Sequence, residues 1–278
     1  MKKYVFIDID GTLYDYMHHE VPKSSIKALT MAKENGHELF ICTGRPKPLV
    51  ESRYLDLPIS GIIYSGGAHI EVHNQLIFQQ KFPTHRLMQV IDDMLTHHIE
   101  FTLEGVCRNY YSDQVYQMFK GYFCSDDVPD LEMKKKFEER TVICTYEDFT
   151  MEDAQQVTKI DMFSKDVELL KNYIQHLPED LEGFVYSESI GVMVEAEVLK
   201  KGLSKASGID CVLEYFNAEL KDTVAIGDST NDVPMIQHAA IGIAMGNASA
   251  ELKAIADVVT TDVDKNGLYN AFEKIGLI

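Results

Sequence analysis

The chain of 278 residues lacks any Cys-x-x-Cys pair, and its five cysteines (Cys42, Cys107, Cys124, Cys144 and Cys211) are odd in number and widely scattered. That argues against a thiolate zinc site or a disulfide framework and fits a reducing compartment. No apolar run approaches the roughly 20 residues needed to cross a bilayer, so no membrane partner is expected. The opening MKKYVFIDIDG reaches aspartate after only the short apolar run YVFI, too little for a secretory signal, and the expected location is the cytoplasm. Positive charge is scarce: 26 Lys and Arg stand against 44 Asp and Glu, a formal net charge of -18. This argues against nucleic acid as the partner, because phosphate backbones demand clustered cations. Any small anionic ligand must instead be met by a few cations placed locally. Internal repeats and low-complexity linkers are also missing, and nothing in the composition decides between a monomer and a small homo-oligomer.

What is present reads as strands alternating with helices. YVFI (4–7) is a short, apolar, β-prone run, followed by a helix over Ser24 to Asn35 with Ile26, Leu29 and Ala32 on one face and Gly36 as its stop. ELFIC (38–42) is a second strand, so the chain opens as a βαβ unit. The end repeats the pattern, with DTVAIGD, AIGIAM and the helical DKNGLYNAFEKI. The middle differs. An amphipathic helix over His85 to His98 precedes short strands at IEFTL, RNYYS, TVICTY and VTKIDMF, with another helix over Val167 to Ile174. The expected organisation is a Rossmann-like, doubly wound parallel-sheet α/β core of residues 1–82 and 189–278, interrupted by an inserted α/β cap domain of residues 83–188.

Four short stretches carry chemistry. Asp8 and Asp10 end the first strand, and residues i and i+2 of a strand share a face, so two like charges meet at a sheet edge. A hard cation such as Mg²⁺ would relieve them. Thr43-Gly44-Arg45 follows the second strand, where a hydroxyl and backbone N–H groups can hold a phosphate oxygen; taken alone, it is equally a turn. Lys200-Lys201-Gly202 opens a helix expected over Gly202 to Ser207, and a lysine there could neutralise a phosphate. Gly227-Asp228-Ser229-Thr230-Asn231-Asp232 follows a later strand, with Asp228 placed as a further metal ligand. Asp232 is placed as a supporting group or as a charge favourable to a helix start.

The order DIDGT, CTGR, KKG, GDSTND resembles the haloacid dehalogenase superfamily of aspartate-nucleophile phosphatases. An insert between the second and third motifs, and the tail GIAMGNASAELKAIADVVTTDVDKNG, resemble its Cof-type branch, subclass IIB. The resemblance implies Asp8 as nucleophile and Asp10 as general acid and base. It implies Mg²⁺ held by Asp8, the Asp10 backbone carbonyl and Asp228. Thr43, Gly44, Lys201 and Asn231 would bind the phosphoryl oxygens, with Lys200 the rival of Lys201, and Asp232 would orient the lysine or a metal-bound water. The expected substrate is a small phosphorylated metabolite such as a sugar phosphate, selected by the cap, where Arg45, Arg108, Tyr110 and His69 are candidate contacts. The pairs His18-His19 and His97-His98 are read as solvated. Where the family commonly has Asn-Gly-Ala, this chain has Ser65-Gly66-Gly67-Ala68, so Gly66 removes any side-chain contact there. A phosphomutase would carry the same motifs, and a phosphate- or Mg-binding sensor without turnover is the reading from a different class.

Overall fold

The computed structural model describes residues 1–125, 130–190 and 193–278, and the chain divides into two compact units. The core unit is Met1–Arg45, Ser52–Gln79 and Leu203–Ile278; the inserted unit is Pro46–Glu51 and Gln80–Gly202.

The core unit begins with β1 (Tyr4–Ile7), α1 (Lys23–Glu34), β2 (Glu38–Cys42), α2 (Ser52–Leu55) and β3 (Gly61–Tyr64). A hairpin of β4 (His69–Val72) and β5 (Gln75–Gln79) follows. It turns at His73 and Asn74, both at positive φ, as a tight two-residue hairpin requires. Val5, Phe6 and Ile7 are fully buried, which is why this strand is a continuous apolar run. In α1 the buried stripe is Ser25, Ala28, Leu29 and Ala32, at helical spacing. Ile26, expected on that face, lies to its flank and is 40% exposed.

The inserted unit contains α3 (Thr84–Thr96), β6 (Glu100–Gly105), β7 (Asn109–Tyr111), α4 (Asp113–Phe123), α5 (Leu131–Glu139), β8 (Ile143–Thr145), β9 (Val157–Ser164), α6 (Val167–Gln175), β10 (Leu181–Ile190) and β11 (Met193–Lys200). Its strands form one sheet in the order β10-β11-β9-β6-β7-β8. Alternation along β9 separates two chemistries. Ile160 and Met162 join Leu87, Val90, Ile91 and Met94 of α3 in one apolar cluster. Lys159 and Asp161 turn the other way, and Lys159 Nζ lies 3.1 Å from Glu104, 3.1 Å from Asp161 and 3.3 Å from Glu197. A second apolar cluster, including Val115 and Tyr116 of α4 and Met133 and Phe137 of α5, also takes in Phe163 of β9. Because β11 pairs with both β9 and β10, the chain re-enters the core at Leu203 and not at the expected residue 189.

The core resumes with α7 (Lys205–Phe216), β12 (Thr223–Gly227), α8 (Val233–His238), β13 (Ile241–Ala244), α9 (Ala250–Ile255), β14 (Val258–Val259) and α10 (Gly267–Lys274). The sheet order is β14-β13-β12-β1-β2-β3-β4-β5. β14 through β3 are parallel neighbours, and β4 pairs antiparallel with both β3 and β5. The chain winds outward from β1 through β2 and β3, then returns to β12 on the other side of β1. That reversal of strand order opens a crevice at the carboxyl ends of β1 and β12, where open α/β sheets bind ligands.

At the start of β2, Glu38 accepts hydrogen bonds from Lys33 Nζ at 2.8 Å and from the Ser60 hydroxyl, and pairs with Lys2 Nζ at 2.9 Å. Burial pushes its carboxyl up, but these donors outweigh it and hold it at about 2, below the ordinary 4.5. A depressed carboxylate stabilises the fold above its unfolded pKa and loses that contribution as pH falls through the folded one. Glu38→Gln should therefore lower the melting temperature at pH 7 by about 2–4 °C. The gap to the parent should narrow as pH falls from 4.5 toward 2, as thermal melts across that range will show.

Candidate active site

Asp8 follows β1 directly, and its N–H donates to the Ile226 carbonyl of β12 at 3.0 Å, which fixes it at the crevice. It is 3% exposed. From β12 the chain passes through Gly227 to Asp228, whose Oδ1 accepts from the Thr12 hydroxyl at 3.1 Å. Gly11 sits at φ +78°, and a Cβ there would come within 2.2 Å of Asp228 Oδ2. Both residues of the Gly-Thr after Asp10 therefore serve to bring Asp228 beside the first strand.

The cation against Asp8 is Lys205. Its Nζ lies 2.6 Å from Asp8 Oδ1, 2.6 Å from Asp232 Oδ1 and 3.3 Å from Asn231 Oδ1, and the side chain is buried. The lysine set against Asp8 is therefore neither Lys201 nor Lys200, the two expected. Lys201 is an exposed turn residue grouped with the inserted unit, and Lys200 ends β11. The expected helix at Gly202 to Ser207 starts instead at Lys205, because Ser204 is its N-cap and accepts from the Ser207 N–H. Glycines let this helix approach the sheet: a Cβ on Gly67 would meet the Ser204 carbonyl oxygen at 2.4 Å, and one on Gly208 would meet Ile63 at 2.7 Å. Gly67, and not the Gly66 that stands where the family has asparagine, is thus part of what seats the lysine. Gly66, at φ +58°, donates its N–H to the Thr43 carbonyl at 3.1 Å.

Asp232 is fully buried and engaged at both oxygens: Oδ1 accepts from Lys205, and Oδ2 from the N–H groups of Asp228 at 2.9 Å and Ser229 at 3.0 Å. It positions the lysine and fixes the loop. Thr43 is buried at the end of β2, with its hydroxyl oxygen accepting from the Arg45 N–H at 3.1 Å; Gly44 is half-buried beside it. Asp10, with its side chain 33% exposed, is held differently from Asp8. Arg45 Nε donates to its Oδ2 at 2.9 Å, Arg45 Nη2 to its Oδ1, and the Tyr16 hydroxyl also to Oδ1. Burial pushes Asp10 up, but Arg45 and Tyr16 prevail and leave it below the usual carboxylate range. Sequence reasoning missed both the Arg45 clamp and Tyr16.

The remaining candidates have other surroundings. His69 is buried and bonded on both nitrogens, to Glu71 at 3.0 Å and Gln79 at 2.9 Å. Tyr110 is buried in the inserted unit's apolar cluster, and Arg108 is exposed. His18 pairs with Asp15 at 2.5 Å, and His97 folds back on the Asp93 carbonyl of α3.

Carboxylate oxygens of Asp8, Asp228 and Asp232 lie within 4.8 Å of one another. Burial, then Asp232, pushes Asp8 well up, against the pull of Lys205. The same two causes raise Asp228 to about 7. An all-oxygen set with surplus negative charge suits a hard divalent cation. Because Asp232 is already engaged, Asp8 and Asp228 are the carboxylates fitted to hold one.

The family described as haloacid dehalogenase-like hydrolase matches residues 5–272. The chain belongs to this family. As a haloacid dehalogenase-like hydrolase of the Cof type, it is an enzyme acting on phosphate esters. It is 30% identical to YkrA of Bacillus subtilis strain 168 over 278 residues, 99% of this chain and 98% of that one. It is 27% identical to the pyridoxal phosphate phosphatase YbhA of Escherichia coli strain K12 over 266 residues, 93% of each. Among solved structures it resembles the subclass IIB sugar phosphatase BT4131, with a TM-score of 0.78, 29% identity and 100% of both chains covered.

Lys205→Met should cost about 3 kcal/mol of stability in urea unfolding, because it leaves Asp8 and Asp232 facing each other without a counter-charge. It should also lower phosphate release by about a hundredfold or more. Lys201→Ala, at an exposed turn, should stay within about 0.5 kcal/mol and keep its activity. The opposite ranking would return the lysine role to Lys201.

Proposed function

We propose that the chain is a Mg²⁺-dependent phosphatase of small phosphomonoesters, sugar phosphates or related phosphorylated metabolites, working through an aspartyl-phosphate on Asp8. The observation that carries this reading is the contrast between two carboxylates two residues apart. Asp8 is buried against an ammonium at 2.6 Å, whereas Asp10 is partly exposed and held by a guanidinium and a phenol. Like groups in unlike surroundings can divide the labour of a reaction.

In the first half, the Asp8 carboxylate attacks phosphorus as the bond to the leaving oxygen breaks, and Asp10 gives that oxygen a proton. In the second half, Asp10 takes a proton from water as the water oxygen attacks phosphorus. The Asp8 carboxylate is restored and phosphate leaves. Lys205 pulls Asp8 toward its carboxylate form against burial and Asp232, and Asp232 keeps Lys205 in place. The Thr43 hydroxyl, the Gly44 N–H, Lys205 and Asn231 would take the phosphoryl oxygens. Asp8, the Asp10 carbonyl and Asp228 would hold Mg²⁺, which when bound keeps the carboxylates ionised and draws charge from the phosphoryl group. An arriving phosphoryl group competes for Arg45, and loosening that clamp lets Asp10 carry a proton. Selection among alcohols is assigned to the inserted unit as well as the crevice. The names of the relatives, one a sugar phosphatase and one a pyridoxal phosphate phosphatase, support small ring-bearing esters.

Phosphate release from p-nitrophenyl phosphate should require Mg²⁺ and fall at least about a thousandfold in Asp8→Asn. Near-full activity in that variant would remove Asp8 as nucleophile. Asp10→Asn should lose about a hundredfold on an alkyl phosphate and much less on the aryl ester, whose leaving group needs no proton. Equal losses on the two would remove Asp10 as the acid.

A further inference from the structure

Tyr16 is built the reverse way round from most surface tyrosines. Its hydroxyl points inward and donates to Asp10 Oδ1, and burial together with the Asp10 charge keeps the phenol protonated far above its ordinary range. The residue as a whole is nonetheless 50% exposed, so the apolar ring faces solvent while the polar end is inside. The ring is also braced. It stands edge-on to Tyr14, with centroids 5.2 Å apart and planes at 87°, and Tyr14 packs in turn on Tyr54. Just beyond it, the Met17 N–H is tied to Asp15 Oδ1 at 2.8 Å, while the Met17 side chain adds a second exposed apolar surface. A flat ring fixed at one end and braced along its edge is pre-organised for contact, because little freedom is lost when something lies against it.

The position matters as much as the rigidity. Tyr16 is one hydrogen bond from Asp10, and Asp10 serves the leaving oxygen in the reaction proposed above. Any alcohol carried on that oxygen must lie on the same side of the site. We propose that Tyr16 is a specificity-determining residue: its ring forms one wall of the subsite for the alcohol part of the ester. It favours alcohols with a flat apolar face, an aromatic ring or the C–H face of a sugar ring, over small acyclic ones. The proposal rests on the assignment of Asp10 to the leaving oxygen.

The test compares benzyl phosphate with glycerol 3-phosphate, both of which release an alkyl alcohol, in the parent, Tyr16→Ala and Tyr16→Phe, with melting curves to show that each variant folds. Loss of the Asp10 hydrogen bond should lower kcat on both esters in both variants. Tyr16→Ala should in addition reduce the preference for benzyl phosphate, measured as the ratio of kcat/KM values, by about tenfold, with the change in KM. Tyr16→Phe keeps the ring and should keep the ratio. An unchanged ratio in Tyr16→Ala overturns the wall while leaving the proposed reaction standing. A parent enzyme that releases phosphate from neither ester overturns both.

Discussion

A single ammonium, Lys205 Nζ, lies between two buried carboxylates, Asp8 at the end of the first strand and Asp232 at the start of α8. Taking three charged groups out of water is expensive, and the arrangement persists only because each is closely satisfied. Much of the local architecture answers to that need. Ser204 caps the helix so that it begins at Lys205, and glycines at 67 and 208 let that helix close on the sheet. The second oxygen of Asp232 binds the loop that presents Asp228. The pairing leaves the site short of positive charge. With Asp8 and Asp228 both pushed up by burial, the remaining deficit is the physical reason for proposing a hard cation there.

The net charge of -18 makes this shortage a property of the whole molecule. A phosphate ester approaching such a surface is repelled at long range, so binding depends on short-range contacts within the crevice. Arg45 is the second local cation, and it rests on Asp10. The two aspartates of the first strand are therefore each matched to one basic side chain, a buried lysine for one and a half-buried arginine for the other. That difference separates the roles proposed for them.

What could be read from the sequence follows from how local the cause is. β1 and β2 lie where the apolar runs place them, since a strand buried on both faces declares itself in composition. Asp8, Asp10, Asp228 and Asp232 stand at the strand ends and helix start where local signals place them. Lys205 is not legible from a lysine before a glycine, since no glycine follows it. The informative signal was a serine cap three residues ahead of another serine, which marks where the helix begins. The Arg45 clamp joins residues 35 apart in the chain, and no spacing rule predicts such a meeting. The core unit resumes at Leu203, later than the expected residue 189, for a similar reason: β11 belongs with the strands it pairs with, and pairing partners are not visible in a run of apolar residues.

The central claim is that Asp8 becomes covalently phosphorylated. The most direct measurement is acid quenching of the enzyme during turnover of a phosphate ester, followed by peptide mass analysis. The account predicts a phosphoryl group on the peptide carrying Asp8, removed by hydroxylamine as an acyl phosphate would be and absent from Asp8→Asn. Steady turnover with no phosphorylated peptide at any quench time, or with the phosphoryl group on another residue, would contradict it.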